Sequence, residues 1–183
     1  MGAKSGDVLV PLTALISSTS LIDTGITIND NVIMTIRAKR DTGVNNSGHL
    51  FYDGTTFLRK INDDFSNNSK AFSETYEPYI KSSTIKDFII DGANHRAQWA
   101  TNSSEYFTAS QFVQAIQTMK LAVYYGPASP AGYYYYYVKA TVDGVLAHDL
   151  RPYLKNGKPG FLDIITNEFH TVAEGGTDWT YVE

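Results

Sequence analysis

The chain has 183 residues, 43% of them hydrophobic and 19% charged, with a formal net charge of −4 and no cysteine. That length suits one well-filled core and one domain, residues 1–183, and the lack of cysteine excludes disulfides, thiolate metal sites and thiol catalysis. The acidic balance, with no run of Lys and Arg, argues against a nucleic-acid partner, and thirteen tyrosines tilt the composition toward strands.

Residues 1–16 include Val8-Leu9-Val10-Pro11-Leu12, too short and too broken by Pro11 for a signal core or a membrane span. An edge strand or a docking arm is expected there. Residues 21–28 and 32–40 follow as strands around the turn formers Asn29-Asp30-Asn31. In the second, Val32, Met34, Ile36 and Ala38 alternate with Ile33, Thr35, Arg37 and Lys39, the pattern of a strand with one buried face. Residues 49–52 and 55–61 are expected to pair across Asp53-Gly54, and residues 85–90 and 95–100 across Asp91-Gly92. Between these hairpins, residues 62–83 read as a long polar surface loop with at most a short strand at 76–80, the kind of loop that carries binding specificity.

Thr108 and Gln111 match a capping box, and Phe112, Ala115, Ile116 and Met119 recur at helical spacing, so one short helix is expected near 109–117. Residues 121–125 and 133–142 are strands, the second the longest of all. Asp143-Gly144 and Asn156-Gly157 then supply the positive φ angles that two-residue primed turns require. A register counted from the first turn pairs Val142 with Val145 and Ala140 with Ala147. It puts Val138, Ala140, Val142, Val145 and Ala147 on one side, and Lys139, Thr141, Leu146 and His148 on the other. Strands at 161–165, 169–172 and 179–182 close the chain. Roughly a dozen short strands with hairpin turns indicate an all-β fold, a two-sheet antiparallel sandwich with one short helix.

Two distant stretches resemble a known module. Residues 18–25, Ser-Thr-Ser-Leu-Ile-Asp-Thr-Gly, look like its T-x-Y-I-D-T-G opening, with Asp23 and Gly25 in place. Residues 144–152, 157–170 and 175–179 follow, in order and spacing, its N-G-x-L-V-R-D-F-I-P, G-x-x-G-L-Y-D-x-x-N-x-x-F-Y and G-T-G-x-F runs. Leu146, Asp149, Pro152, Gly160, Asp163, Asn167 and Phe169 match, while His148 stands for an Arg and His170 for a Tyr. The module is the concanavalin-A-like (LamG-like) lectin and glucanase jelly roll, common in bacteriophage tail and baseplate proteins and in bacterial surface proteins. The resemblance covers both ends of the chain and none of its middle third. It implies a jelly roll and a virion protein assembled in the host cytoplasm. It also marks Asp23, Gly25, Asp143, Gly144, Asp149, Pro152, Gly160, Asp163, Asn167 and Phe169 as turn and fold residues rather than ligand contacts.

The run of five tyrosines is the most conspicuous candidate site. By the turn register, Tyr134 and Tyr136 share the core side with Val138, and Tyr133, Tyr135 and Tyr137 face outward with Lys139. Such a row could stack on sugar rings or cover a subunit contact. Asp149 is expected opposite Val138 on the inward side, satisfied by backbone donors or Arg151. No metal or cofactor is expected: His49, His95, His148 and His170 are scattered singly, and Asn62, Asp63 and Asp64 lack a calcium-loop pattern. Glu74 and Glu77, three apart, would point to opposite faces of a strand and make no glycosidase pair. A serine elbow and a phosphate loop are also missing. The expected function is therefore that of a non-catalytic bacteriophage virion structural protein: a decoration, adaptor or host-adhesion module. Its partners would be other virion proteins and host-surface polysaccharide, within an oligomeric assembly, without nucleic acid or membrane insertion. A bacterial surface carbohydrate-binding module is the alternative, and a glycosidase the third reading.

Overall fold

The computed structural model describes residues 6–40, 49–52, 57–61, 64–67, 85–94, 96–99, 106–108, 118–123 and 132–183. These residues form sixteen strands and no helix. In chain order the strands are β1 (Leu9–Pro11), β2 (Ala14–Ile16), β3 (Ile22–Asp23), β4 (Val32–Arg40), β5 (His49–Tyr52), β6 (Phe57–Ile61), β7 (Asp64–Asn67) and β8 (Lys86–Asp91). They continue with β9 (Arg96–Trp99), β10 (Tyr106–Thr108), β11 (Lys120–Val123), β12 (Tyr133–Val142), β13 (Val145–Lys155), β14 (Lys158–Asp163), β15 (Glu168–His170) and β16 (Thr180–Val182). All pairing is antiparallel, in an eleven-stranded and a five-stranded sheet. The helix expected at 109–117 and the strand expected at 76–80 lie outside the described residues. The start of the expected 62–83 loop is instead strand β7, paired with β6.

Turn chemistry sets the local order. Asp143 and Gly144 have φ of 51° and 78°, and Asn156 and Gly157 have 53° and 80°. Both are the primed turns expected, and they string β12, β13 and β14 into a meander. Asp91 pairs with Arg96 around the expected Asp91-Gly92 loop. In the β5–β6 hairpin Tyr52 pairs with Phe57, so four residues rather than two separate the strands, and Asp53-Gly54 lie outside the described residues.

The larger sheet runs β10-β9-β8-β4-β12-β13-β14-β15, and it forks. β12 pairs with β4 from Tyr133 to Val142, but on its other side only Val138 to Val142 pair with β13. Beyond Val138 and Leu150 the two longest strands diverge. Residues 9–16 fill the gap: β1 pairs with β13 from Tyr153 to Lys155, the Leu12 amide donates to the Pro152 carbonyl at 3.0 Å, and β2 pairs with Tyr134 and Tyr135 of β12. β16 then adds to the free side of β2. The segment expected as an edge strand or a docking arm is thus a pair of short strands on its own chain, where its backbone groups complete a sheet that would otherwise carry two open edges.

One core draws on both sheets, with Val32, Met34, Ile36, Ala38, Phe88, Ile90, Val138 and Leu150 from the larger and Ile22, Leu50, Phe51 and Leu121 from the smaller. The four β4 residues are the ones its alternation marks as inward. At its centre Tyr135 stacks on Trp179 at 5.2 Å, and Tyr133 and Phe161 close the group edge-on. Buried aromatic pairs of this kind add about 0.5–1.5 kcal/mol each beyond their area. The indole N–H of Trp179 is satisfied by the Ser20 carbonyl at 2.6 Å.

Two bulges overturn the register counted from the Asp143-Gly144 turn. Between Tyr135 and Tyr137 one residue of β12 is left over against β4, so the inward phase passes from Val138 to Tyr135 and Tyr133. Tyr133 and Tyr135 are core residues, 1% and 0% exposed, not outward ones; Tyr134, on the face opposite to Tyr135, is the outward residue. The second shift lies between Ala140 and Thr141: Val142 pairs with Val145 as expected, but Ala140 pairs with His148 rather than Ala147. Asp149 accordingly sits opposite Lys139 on the outer face, not opposite Val138 on the inner one.

Candidate functional site

The outer face of the larger sheet brings charged and aromatic side chains from four strands around Tyr137. β4 contributes Arg37 and Lys39, β8 Asp87, β12 Tyr134, Tyr137 and Lys139, and β13 Asp149 and Arg151. The alternation that buries Ile36 and Ala38 turns Arg37 and Lys39 outward, and the fork lets Arg151 lean toward Tyr137. Arg151, Lys139 and Arg37 lie 5.1, 5.4 and 5.7 Å from the Tyr137 ring centroid, and Lys39 lies 4.6 Å from that of Tyr134. The Tyr137 hydroxyl donates to Asp87 at 3.0 Å, and Arg37 meets the same carboxylate at 3.6 Å. Burial first, then the bond to Asp87, push the Tyr137 hydroxyl pKa up, so it stays a donor. Contact with Tyr137 and the charge of Asp87 hold the Arg37 guanidinium still more firmly protonated.

Asp149, 5% exposed, is the anchor of the β13 side. Its carboxylate faces Arg151 at 2.6 Å (Nε to Oδ1) and 3.1 Å (Nη2 to Oδ2), with Lys139 Nζ 3.5 Å from Oδ2. The expected partner Arg151 is the one found. Oδ1 makes this close ionic contact without a hydrogen bond of good geometry.

A second cluster locks the β14–β15 turn. Asp163, fully buried, accepts from the Asp149 amide at 3.1 Å and the Ile165 amide at 3.0 Å, and its other oxygen lies 2.7 Å from His148 Nδ1. Burial pushes its pKa up, but the hydrogen bonds from Asp149, His148, Ile165 and Thr166 outweigh this and hold the carboxyl below the ordinary aspartate value. Asn167 takes the left-handed conformation, φ 60°, that closes the turn by donating to the Asp163 carbonyl at 2.8 Å. The family-like residues meet here and beside it. Phe169 lies across Gly160, where any Cβ would strike its ring. Asp23 accepts from the Gly25 amide at 2.9 Å and from Thr118 at 2.7 Å. The His170 ring packs on Gly25, its Nδ1 3.1 Å from the Asp23 carbonyl. Pro152 is buried where the fork opens.

No protein-family model, curated protein or solved structure matches the chain.

Of the four residues expected to bind, the structure keeps Tyr137 and Lys139 together on the outer face and moves Tyr133 and Tyr135 into the core. Arg37 and Asp87 join the site although the sequence alone does not single them out, because they come from strands far from Tyr137 in sequence and meet it only once β12 is placed beside β4 and β4 beside β8. The available signal is the outward phase of β4, which carries Arg37 and Lys39. Among the described residues no cluster of three His, Cys, Asp or Glu could hold a metal, and no helix is long and apolar enough to cross a membrane.

Proposed function

We propose that the protein is a non-catalytic structural and adhesion module of a bacteriophage particle, built as a concanavalin-A-like jelly roll. It meets other virion proteins and host-surface glycan through its outer sheet face. The observation that carries this reading is the convergence of the two family-like stretches: His170 packs on Gly25 and bonds to the Asp23 carbonyl, although 147 positions separate His170 from Asp23. Residues shared with the lectin-like module are spent on closing a turn, as Asp163 and Asn167 are, or on packing adjacent strands, as Gly160 and Phe169 are, which favours a common fold over a common active site. The charged groups of the outer face support a non-catalytic role. Asp87 is engaged by Arg37 and the Tyr137 hydroxyl, and Asp149 by Arg151 and Lys139, so both carboxylates serve as partners that hold neighbouring side chains in place.

The test is to apply the labelled protein to a glycan array and to purified bacterial cell walls, while probing phage particles for the chain by native mass measurement. Saturable retention and recovery in particles are expected. Release of sugar from the walls would overturn the non-catalytic assignment, and retention without any recovery in particles would favour the bacterial surface module instead.

A further inference from the structure

We propose that the patch around Tyr137 binds an acidic polysaccharide, with Arg37, Lys39, Lys139 and Arg151 as the recognising cations; this rests on the glycan-binding reading above and names its ligand class. A neutral sugar is gripped chiefly by stacking on an open aromatic face. Here the outward tyrosines already have cationic partners, three within 5.7 Å of the Tyr137 centroid and one at 4.6 Å from that of Tyr134, so a stacked sugar must first displace one. The cations themselves remain accessible. The side chains of Arg37, Lys139 and Arg151 are 45%, 36% and 36% exposed.

Charge selects the same class. Four cations face two carboxylates on this patch, in a chain whose net charge is −4, so the patch is a local attractor for anions on an otherwise repelling molecule. The arrangement is also held in advance. Asp149 fixes Arg151 and Lys139, and Asp87 with the Tyr137 hydroxyl fixes Arg37, which lowers the ordering cost of binding. Asp87, whose side chain is partly exposed, separates a sugar acid from a polyphosphate: its remaining acceptor capacity suits sugar hydroxyls, whereas a nucleic acid, with one charge per about 1.7 Å, would press phosphates against it.

The experiment presents the full chain to surfaces coated with polygalacturonate, dextran or duplex DNA and reads retention by interferometry in low and moderate salt. Retention on polygalacturonate is expected, weakened about tenfold or more as salt shortens the screening length to roughly 8 Å. An Arg37→Gln, Lys139→Gln double variant should bind about tenfold more weakly, two lost charge contacts amounting to about one decade. Should that variant lose its native circular dichroism, Lys39→Gln, which has no carboxylate partner among the described residues, is expected to weaken binding by itself. Equal retention on dextran, or variants that bind as tightly as the native chain, would overturn the acidic assignment while leaving glycan binding intact. Retention on DNA matching that on polygalacturonate would overturn it as well. Failure to bind any polymer or any cell wall would remove the glycan-binding reading together with it.

Discussion

The hydroxyl of Tyr135 ties the two sheets by directed bonds as well as by contact. It donates to the Leu50 carbonyl of β5 at 2.6 Å and accepts from the Ala122 amide of β11, and burial raises its pKa well above the usual tyrosine value. Ala122 holds φ 55° to aim that amide, a conformation costing a non-glycine residue roughly 1–2 kcal/mol. Tyr135→Phe leaves two buried backbone groups without a partner. It should lower the unfolding free energy by about 2–4 kcal/mol in a urea titration with an unchanged slope. Tyr137→Phe, on the half-exposed face, should cost less than about 1 kcal/mol. Asp163 sets an acid limit. Its carboxyl is harder to protonate in the folded chain than in the unfolded one, so its contribution is complete above the ordinary aspartate pKa of about 3.9 and is lost as pH falls through the lower folded value. Between about pH 5 and pH 3 the native urea midpoint should therefore drop more steeply than that of Asp163→Asn; parallel curves would remove Asp163 from this role.

At the scale of strands and turns, two glycines separate two kinds of constraint. Gly144 has φ 78° with nothing near a would-be Cβ, so Gly144→Ala should cost only the backbone term, about 1 kcal/mol. Gly92 has no positive φ, but a Cβ there would collide with the Asn29 and Val32 carbonyls. Gly92→Ala should cost at least about 3 kcal/mol, read in the same titration, because backbone rather than a flexible side chain must move. The turns and the β4 alternation were legible in the sequence because each is a local property of a few residues. The phase of β12 was not. Five consecutive tyrosines carry no alternation of their own, so their phase had to be carried back from Val138, and the bulge beyond it reverses that phase. The bulge before Thr141 moved Asp149 across the sheet in the same way. Two of the three expected tyrosines were therefore misplaced while Tyr137 and Lys139 were not, since the bulge lies on the far side of Tyr137 from Val138.

For the molecule as a whole, pairing over long sequence distances decides what lies at an edge. That residues 9–16 pair with both β12 and β13 depends on a divergence of two strands that no local pattern announces, which is why the sequence leaves an edge strand and a docking arm as alternatives and the pairing decides for strands. The outer face owes its mixed charge to the same topology, because the fork carries Arg151 toward a tyrosine on a strand it no longer pairs with. The fork has a further consequence in time. At about 5–20 residues per second, a ribosome delivers residues 133–155 roughly six to thirty seconds after residues 9–16. Throughout that interval Leu15, later fully buried, waits with the rest of β2 without the strands that will flank it. The nascent chain thus carries an early apolar segment whose protection comes last, and synthesis speed enters the yield of folded protein.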